Sequence, residues 1–278
     1  MTEWATIVER AIKECREREQ RIRTARKQLE RLLELLPEVE QRPFALLSKL
    51  DELLEKLSDT LPQQPLQELQ ELRKWVNQRA KEQLANYTAL LKETLPNADI
   101  KGRLSEGYWV NDFVEVRIDE RKRQAKIGTR FHAQQLKGDI SVVTVAEAIQ
   151  AELKRLFERP FDPEAFLRDL FRAYLLALTA DGRSGQIGTP VSLFSVHKFV
   201  TFLRQQDRLF QKGDGRHFQP YLPDEFAVDM GRLLERRHTE LQGYWLHLHP
   251  VRNPKLFIVN FASKRGQNYG LMSFQPVR

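Results

Sequence analysis

An arginine and a histidine that could act on a phosphodiester lie six residues apart near the end of a predicted helix. Arg232 would hold a phosphate, and His238 would act as the general acid or base of a ribonuclease. The spacing is also common by chance, and cations at the C-terminal end of a helix complement its dipole. The sequence therefore favours a protein without catalytic activity, with a ribonuclease at Arg232 and His238 as an alternative.

Two histidines could form half of a metal site. His247 and His249 are two apart on a predicted strand, so their side chains face the same side. A zinc site needs further ligands, and Cys15 is the only cysteine of the chain. Because no phosphate-binding or dinucleotide-binding glycine motif occurs either, the sequence predicts no metal and no cofactor.

The strongest candidate for a ligand contact is a cationic turn near the C-terminus. Lys264 and Arg265 lie at the tip of a predicted hairpin, where side chains and amides could bind phosphates. The alternative to phosphate binding is an ordinary hairpin tip, at which the same two cations are solvated. The predicted nucleic-acid-binding residues are Lys264, Arg265, Gln267, Asn268, Arg252, Lys255, Arg236 and Arg237.

The net charge of +7 is unevenly distributed along the chain. Residues 197–278 contain 13 Lys and Arg against 7 Asp and Glu, and residues 241–278 contain five cations and no acid. A segregated positive field is typical of a polyanion partner, and we expect DNA or RNA. A local bias of surface charge is the alternative.

Heptad spacing marks the first 36 residues as a helix with one apolar seam. Prolines at 37, 43, 62, 65 and 96 delimit three helices with short joints, which predicts an antiparallel, coiled-coil-like stack. One series of the seam is Val8, Cys15, Ile22, Leu29 and Leu36, and the other is Trp4, Ala11, Arg18, Ala25 and Leu32.

The first helix is too long for the second to cover. At 1.5 Å per residue, residues 3–36 extend roughly 50 Å and residues 43–61 only about 28 Å, so coverage should begin near Arg18. A protein partner, either a second copy or another subunit, should bind the uncovered part, unless the C-terminal part folds back over it. The predicted partner-binding residues are Trp4, Ile7, Val8, Ala11, Ile12 and Cys15.

The remainder alternates between strand and helix patterns. A hairpin is predicted over 114–118 and 125–131, and Thr144 with Glu147 reads as the capping box of a helix to 157. Helices should begin near residues 163, 190 and 223, followed by an antiparallel meander over 244–249, 255–261 and 269–275. The fold class is mostly helical α+β, with domains 1–96, 97–159 and a winged-helix-like 160–278.

Composition bounds the functional class. The chain contains no run of about 18 apolar residues that could span a membrane. The first residues carry acids and do not resemble a signal peptide. We therefore expect a cytoplasmic protein. The pattern favours a non-catalytic nucleic-acid-binding subunit of a larger complex. The first alternative is an assembly or adaptor subunit with protein contacts only, for example beside an ATPase or nuclease, and the second is the ribonuclease.

Overall fold

A computed structural model describes residues 2–58, 61–180, 186–207, 211, 215–237, 239–251, 256–260 and 265–277. Contacts divide the chain into two compact units. Unit 1 comprises Met1–Tyr108, Val116–Ile127 and Gln134–Ile149, and unit 2 comprises Trp109–Glu115, Gly128–Ala133 and Gln150–Arg278. The boundaries at 96 and 159 stay predictions, since the middle segment contributes residues to both units.

Unit 1 begins with helices whose ends follow the prolines. They are α1 (Thr2–Leu35), α2 (Pro43–Leu57), α3 (Gln63–Ala85) and α4 (Tyr87–Thr94). A short 3-10 turn at Leu36–Glu38 ends α1 where Pro37 was expected to stop it. The third predicted helix is divided at Asn86, which leaves helical geometry and separates α3 from α4.

Helix α2 supplies most of the apolar core beneath the first helices. It packs against α1 on one side and α3 on the other. Among the residues of α1 from Trp4 onward, only Ala25 and Leu32 are buried, so α2 covers just the C-terminal part of that helix. The buried residues of α2 are Pro43, Phe44, Leu46, Leu47, Leu50, Leu53 and Leu57.

The middle of the chain forms a five-stranded sheet. Its strands pair in sequence order: β1 (Ile100–Arg103), β2 (Gly107–Val110), β3 (Val114–Asp119), β4 (Gln124–Gly128) and β5 (Ala133–Lys137). The predicted hairpin corresponds to β3 and β4. The other three strands were not predicted, because they are short and carry little alternation of apolar and polar residues.

Helix α5 (Val142–Phe157) begins earlier than predicted, and its predicted capping box is wrong. The Thr144 hydroxyl donates to the carboxylate of Asp139 at 2.5 Å instead of capping the helix. Glu147 pairs with Arg42 of the first connection at 2.7 Å. The Glu147 side chain, which the local pattern assigned to the cap, therefore binds a residue that lies 105 positions away along the chain.

Unit 2 contains three longer helices: α6 (Pro163–Ala180), α7 (Leu193–Leu203) and α8 (Pro223–Glu235). Asp162 caps α6 as predicted, because its carboxylate accepts the amides of Glu164 at 3.0 Å and Ala165 at 3.1 Å. The helix predicted from Pro190 begins three residues later, since a short strand, β6 (Val191–Ser192), comes first.

The C-terminal strands join β6 in a second five-stranded sheet. The new strands are β7 (Glu240–Leu241), β8 (Tyr244–Pro250), β9 (Leu256–Asn260) and β10 (Arg265–Pro276). Tyr269 of β10 pairs with both Pro250 of β8 and Leu256 of β9, so β10 lies between them. The last strand is thus central, whereas a meander would place the middle strand there, and β6 pairs with β10 as well.

The observed class is α+β and mostly helical, as predicted. Among the described elements of unit 2, the order is α6, β6, α7, a 3-10 turn at Gly215–His217, α8 and then the strands β7 to β10, with β6 paired to β10. This order is winged-helix-like. The ring of Phe274 on β10 packs 4.9 Å from that of Phe171 on α6. Among the described helices, none has the length and apolar character needed to cross a membrane.

Candidate functional site

The N-terminal part of α1 is an exposed helix with an apolar side. Every residue from Trp4 to Thr24 is exposed. We call Trp4, Ile7, Val8, Ala11, Ile12 and Cys15 the apolar stripe; the side chain of Trp4 is 75% exposed and those of Ile7 and Val8 51% and 56%. The prediction that α2 leaves these residues uncovered is confirmed, but coverage begins at Ala25 and not near Arg18.

An apolar groove continues the same side of α1. At 100° per residue, Trp4, Ala11, Ile22, Leu29 and Leu33 fall within one narrow face of the helix. The groove has a volume of about 430 Å³, which is in the range of ligand pockets. We call it the α1 groove; it is lined by Ile22, Ala25, Arg26, Leu29, Glu30, Leu33 and Leu61.

Charged side chains stabilise the exposed part of α1 as a helix. Glu19 and Arg23 form an i,i+4 ion pair at 2.7 Å, and Arg26 and Glu30 form another at 2.8 Å. Each such pair stabilises a helix by a few tenths of a kcal/mol. A helix that remains in water is normally polar on every side. The tryptophan and isoleucine side chains of the apolar stripe do not stabilise such a helix, so their presence requires another explanation.

Arg232 is an anchor between helices. Its guanidinium donates to the carbonyl oxygen of Arg159 at 3.1 Å and to that of Phe157, and it lies 3.5 Å from Asp229. These contacts tie α8 to the end of α5, and the side chain is only 14% exposed. His238, the other half of the predicted ribonuclease pair, lies outside the described residues, so that alternative stays a prediction.

The predicted cationic turn is shorter than expected. Arg265, Gln267 and Asn268 belong to β10, where they pair with Asn260, Ile258 and Phe257 of β9. Strand pairing therefore places them beside the turn instead of at its tip. Asn268 is half-buried, and its side-chain oxygen is buried without a hydrogen-bond partner. Lys264, Arg252 and Lys255 lie outside the described residues.

Arg236 and Arg237 follow the end of α8 and are both exposed. Recognition helices of helix-turn-helix proteins enter the major groove of DNA. In a winged-helix-like order that helix would be α8, yet eight of its 13 residues are buried. A nucleic acid at this end of the unit would therefore meet exposed cations such as Arg236 and Arg237, instead of a helix face.

A cluster of opposite charges with two buried carboxylates was not predicted from the sequence. His132, Glu152 and Asp224 hold three potential metal ligands within 4.8 Å of one another. Arg155 already donates to Glu152 at 2.7 Å and to Asp224 at 2.5 Å, so its guanidinium supplies the positive charge there. Burial opposes that charge, but the two carboxylates raise the pKa of Arg155 above its ordinary value.

A third buried carboxylate, Asp229, lies among several arginines of unit 2. Asp229 accepts from the hydroxyl of Tyr221 at 2.6 Å and from Arg159 at 3.0 Å, and Arg204 lies 3.9 Å away. Burial raises the pKa of Asp229, although the arginines favour its charged form. Arg155 and Arg159, which precede the basic segment 197–278, thus pair with acids inside it, so these ion pairs use none of the cations counted there.

Comparison of the chain with protein-family models, with curated proteins and with solved structures finds no match. The residues and their geometry are therefore the basis for assigning a function.

Proposed function

We propose that this chain is a non-catalytic assembly subunit whose N-terminal helix binds another protein chain. The observation that carries the proposal is the apolar stripe on a helix that is exposed from Trp4 to Thr24. Its spacing of i, i+3, i+4, i+7 and i+8 is that of helices whose apolar side is laid against a partner. Large exposed apolar patches mark interaction sites.

The proposal includes a cytoplasmic location. The chain has a single cysteine, and disulfides are rare in that compartment. We place assembly before nucleic-acid binding because the residues of the apolar stripe are exposed together on one side of α1.

Substitutions on the stripe test the assembly role. Val8→Glu with Ile12→Glu places two charges on the docking side, so wild type should capture a stoichiometric protein chain that the variant loses. The matched control, Lys13→Gln with Gln20→Glu, changes the net charge equally on the opposite side of the helix. The assay is affinity purification after nuclease treatment, with two differently tagged copies present to report self-association.

The thermal transition separates docking from folding in the same experiment. All four positions are exposed, so at concentrations too low for association both variants should unfold within about 0.5 kcal/mol of wild type. Capture of the same chain by wild type and by the stripe variant would show that this side of α1 has no assembly role.

A second proposed activity is contact with a nucleic-acid backbone by unit 2. It is supported by the acid-free segment 241–278 and by the exposed cations Arg236 and Arg237. Cations that lie near phosphates bind them with little sequence preference. The two activities are compatible, because the residues that support them belong to different parts of the chain.

A further inference from the structure

The apolar stripe and the α1 groove lie on the same face of one helix, which makes that face complementary to itself. The stripe ends at Cys15, a polar segment follows, and the groove begins at Ile22. When a second helix of the same sequence runs in the opposite direction, stripe meets groove at both ends. This matching of two features of one chain identifies the occupant.

We infer that the chain bound by the stripe is the α1 helix of a second copy, antiparallel over residues 4–29 about a two-fold axis between Arg16 and Glu17. The inference rests on the proposed assembly function and names its partner. In such a two-fold interface, each contact between different residues occurs twice.

Residue sizes fit this register. The seam places Ala11 opposite Ile22 of the second copy. It places Val8 opposite Ala25, which is only 3% exposed and lines the α1 groove. Each pair combines a large with a small side chain, which is how facing positions interdigitate. At the centre Cys15 meets the aliphatic stem of Arg18, whose charged end reaches water.

Trp4, the largest side chain of the apolar stripe, lies at each end of the interface. Trp4 falls opposite Leu29 of the second copy, within the α1 groove. Leu33, at 67% exposure, lines that groove together with Leu61 of the segment after α2. Burial of Trp4 there would remove the most exposed apolar side chain of the stripe from water at both ends.

Charges flanking the seam select the antiparallel orientation. In that register Glu14 lies beside Arg21 of the second copy, and the pair occurs twice. A parallel pair would instead place Glu14 beside Glu19, Arg21 beside Arg26 and Arg18 against Arg18. Flanking charges determine partner and orientation in coiled coils, so the parallel arrangement is disfavoured by like charges.

The overlap is long enough for a stable pair. Residues 4–29 span roughly 38 Å, which is between three and four heptads, the length over which sustained coiled-coil patterning is meaningful. A shorter overlap restricted to the apolar stripe would leave the α1 groove and Ile22 in water. The longer register also covers Ile22 and brings Trp4 to the α1 groove.

Charge exchange tests the register in the full-length chain. Glu14→Arg and Arg21→Glu each turn two attractive pairs into repulsive ones and should weaken the dimer about tenfold. The double variant restores opposite charges and should recover the wild-type dimer. Glu9→Arg, on the opposite side of the helix, is the control and should have no effect. Sedimentation velocity over a wide concentration range measures the dimer.

Disulfide formation tests the orientation in a Cys15→Ser background, which contains no other cysteine. Ala11→Cys and Ile22→Cys face each other only across the antiparallel pair. A mixture of the two proteins should form a cross-linked heterodimer on oxidation, while neither protein alone should form a dimer. Cross-linking of Ala11→Cys alone would indicate a parallel pair and overturn the inference.

A monomeric wild-type chain at all concentrations would also overturn the inference. It would leave the assembly function intact if the stripe variant lost capture of a different protein. A dimer that is unaffected by both single charge changes would place the contact elsewhere on the chain, and would contradict this register.

Discussion

At the scale of single residues, polar side chains in unit 2 hold the helices and loops in place. His197 of α7 is buried, and its Nε2 lies 2.7 Å from the carbonyl oxygen of Tyr221. The rings of Tyr221 and Phe226 flank the imidazole. Burial lowers the pKa of His197, although the Tyr221 carbonyl favours the protonated form. The neutral ring is therefore the form that the fold accommodates.

Acidification should destabilise the protein through His197. Below its ordinary pKa of about 6.5, the imidazole of the unfolded chain takes up a proton that the folded chain resists. The stabilising contribution is thus complete above that pH and is lost as the pH falls below it.

Thermal midpoints measured between neutral pH and mildly acidic pH check this sign. We expect the midpoint of wild type to fall more steeply than that of His197→Gln, which retains a donor for the carbonyl but does not titrate. Parallel curves for the two proteins would mean that His197 does not contribute to the pH dependence.

At the scale of elements, α8 is a mostly buried helix whose polar side chains bind neighbouring parts of unit 2. The Arg232 side chain bridges α8 to carbonyl oxygens at the end of α5. Such a role differs from phosphate binding, because both terminal nitrogens of the guanidinium already donate to carbonyl oxygens.

Arg232→Ala should therefore lower the free energy of unfolding by about 2 kcal/mol, since two carbonyl oxygens lose their donor. His238→Ala should leave both stability and any measured RNA cleavage unchanged. Denaturant unfolding and a cleavage assay on both variants provide the measurement. Loss of RNA cleavage in His238→Ala at unchanged stability would support the ribonuclease alternative instead.

At the scale of the whole molecule, part of the charge of unit 2 is held in internal ion pairs. Arg155 and Arg159, which precede the basic segment 197–278, pair with Asp224 and Asp229 within it. The proposed cations Arg236 and Arg237 are exposed. The proposed nucleic-acid contact should accordingly be sequence-independent and sensitive to salt.

Substitution of the cations tests that contact. Arg236→Ala with Arg237→Ala, and separately Lys264→Ala with Arg265→Ala, should weaken DNA or RNA binding equally across sequences. Each phosphate contact removed should reduce the salt slope by about 0.9 for B-DNA. Binding isotherms at several salt concentrations measure the slope, and Lys13→Gln with Gln20→Glu serves as the control. If neither pair changes affinity, unit 2 does not use these cations.

The sequence by itself determined the helices of unit 1 and the exposed stripe. Proline positions and heptad spacing are local signals, and helix lengths alone show that α2 cannot cover the start of α1. The Asp162 cap of α6 is equally local. These features depend on residues a few positions apart, so they can be predicted without knowledge of the fold.

Only the tertiary structure decided which distant groups meet. The Val142 amide at the start of α5 donates to Gln83 of α3 at 3.1 Å, a contact that no local capping pattern contains. The central position of β10 and the pairing of Arg155 with Asp224 likewise join residues far apart in sequence. Such pairings depend on loop closure and on the burial of charge, which are properties of the assembled chain and not of any short segment.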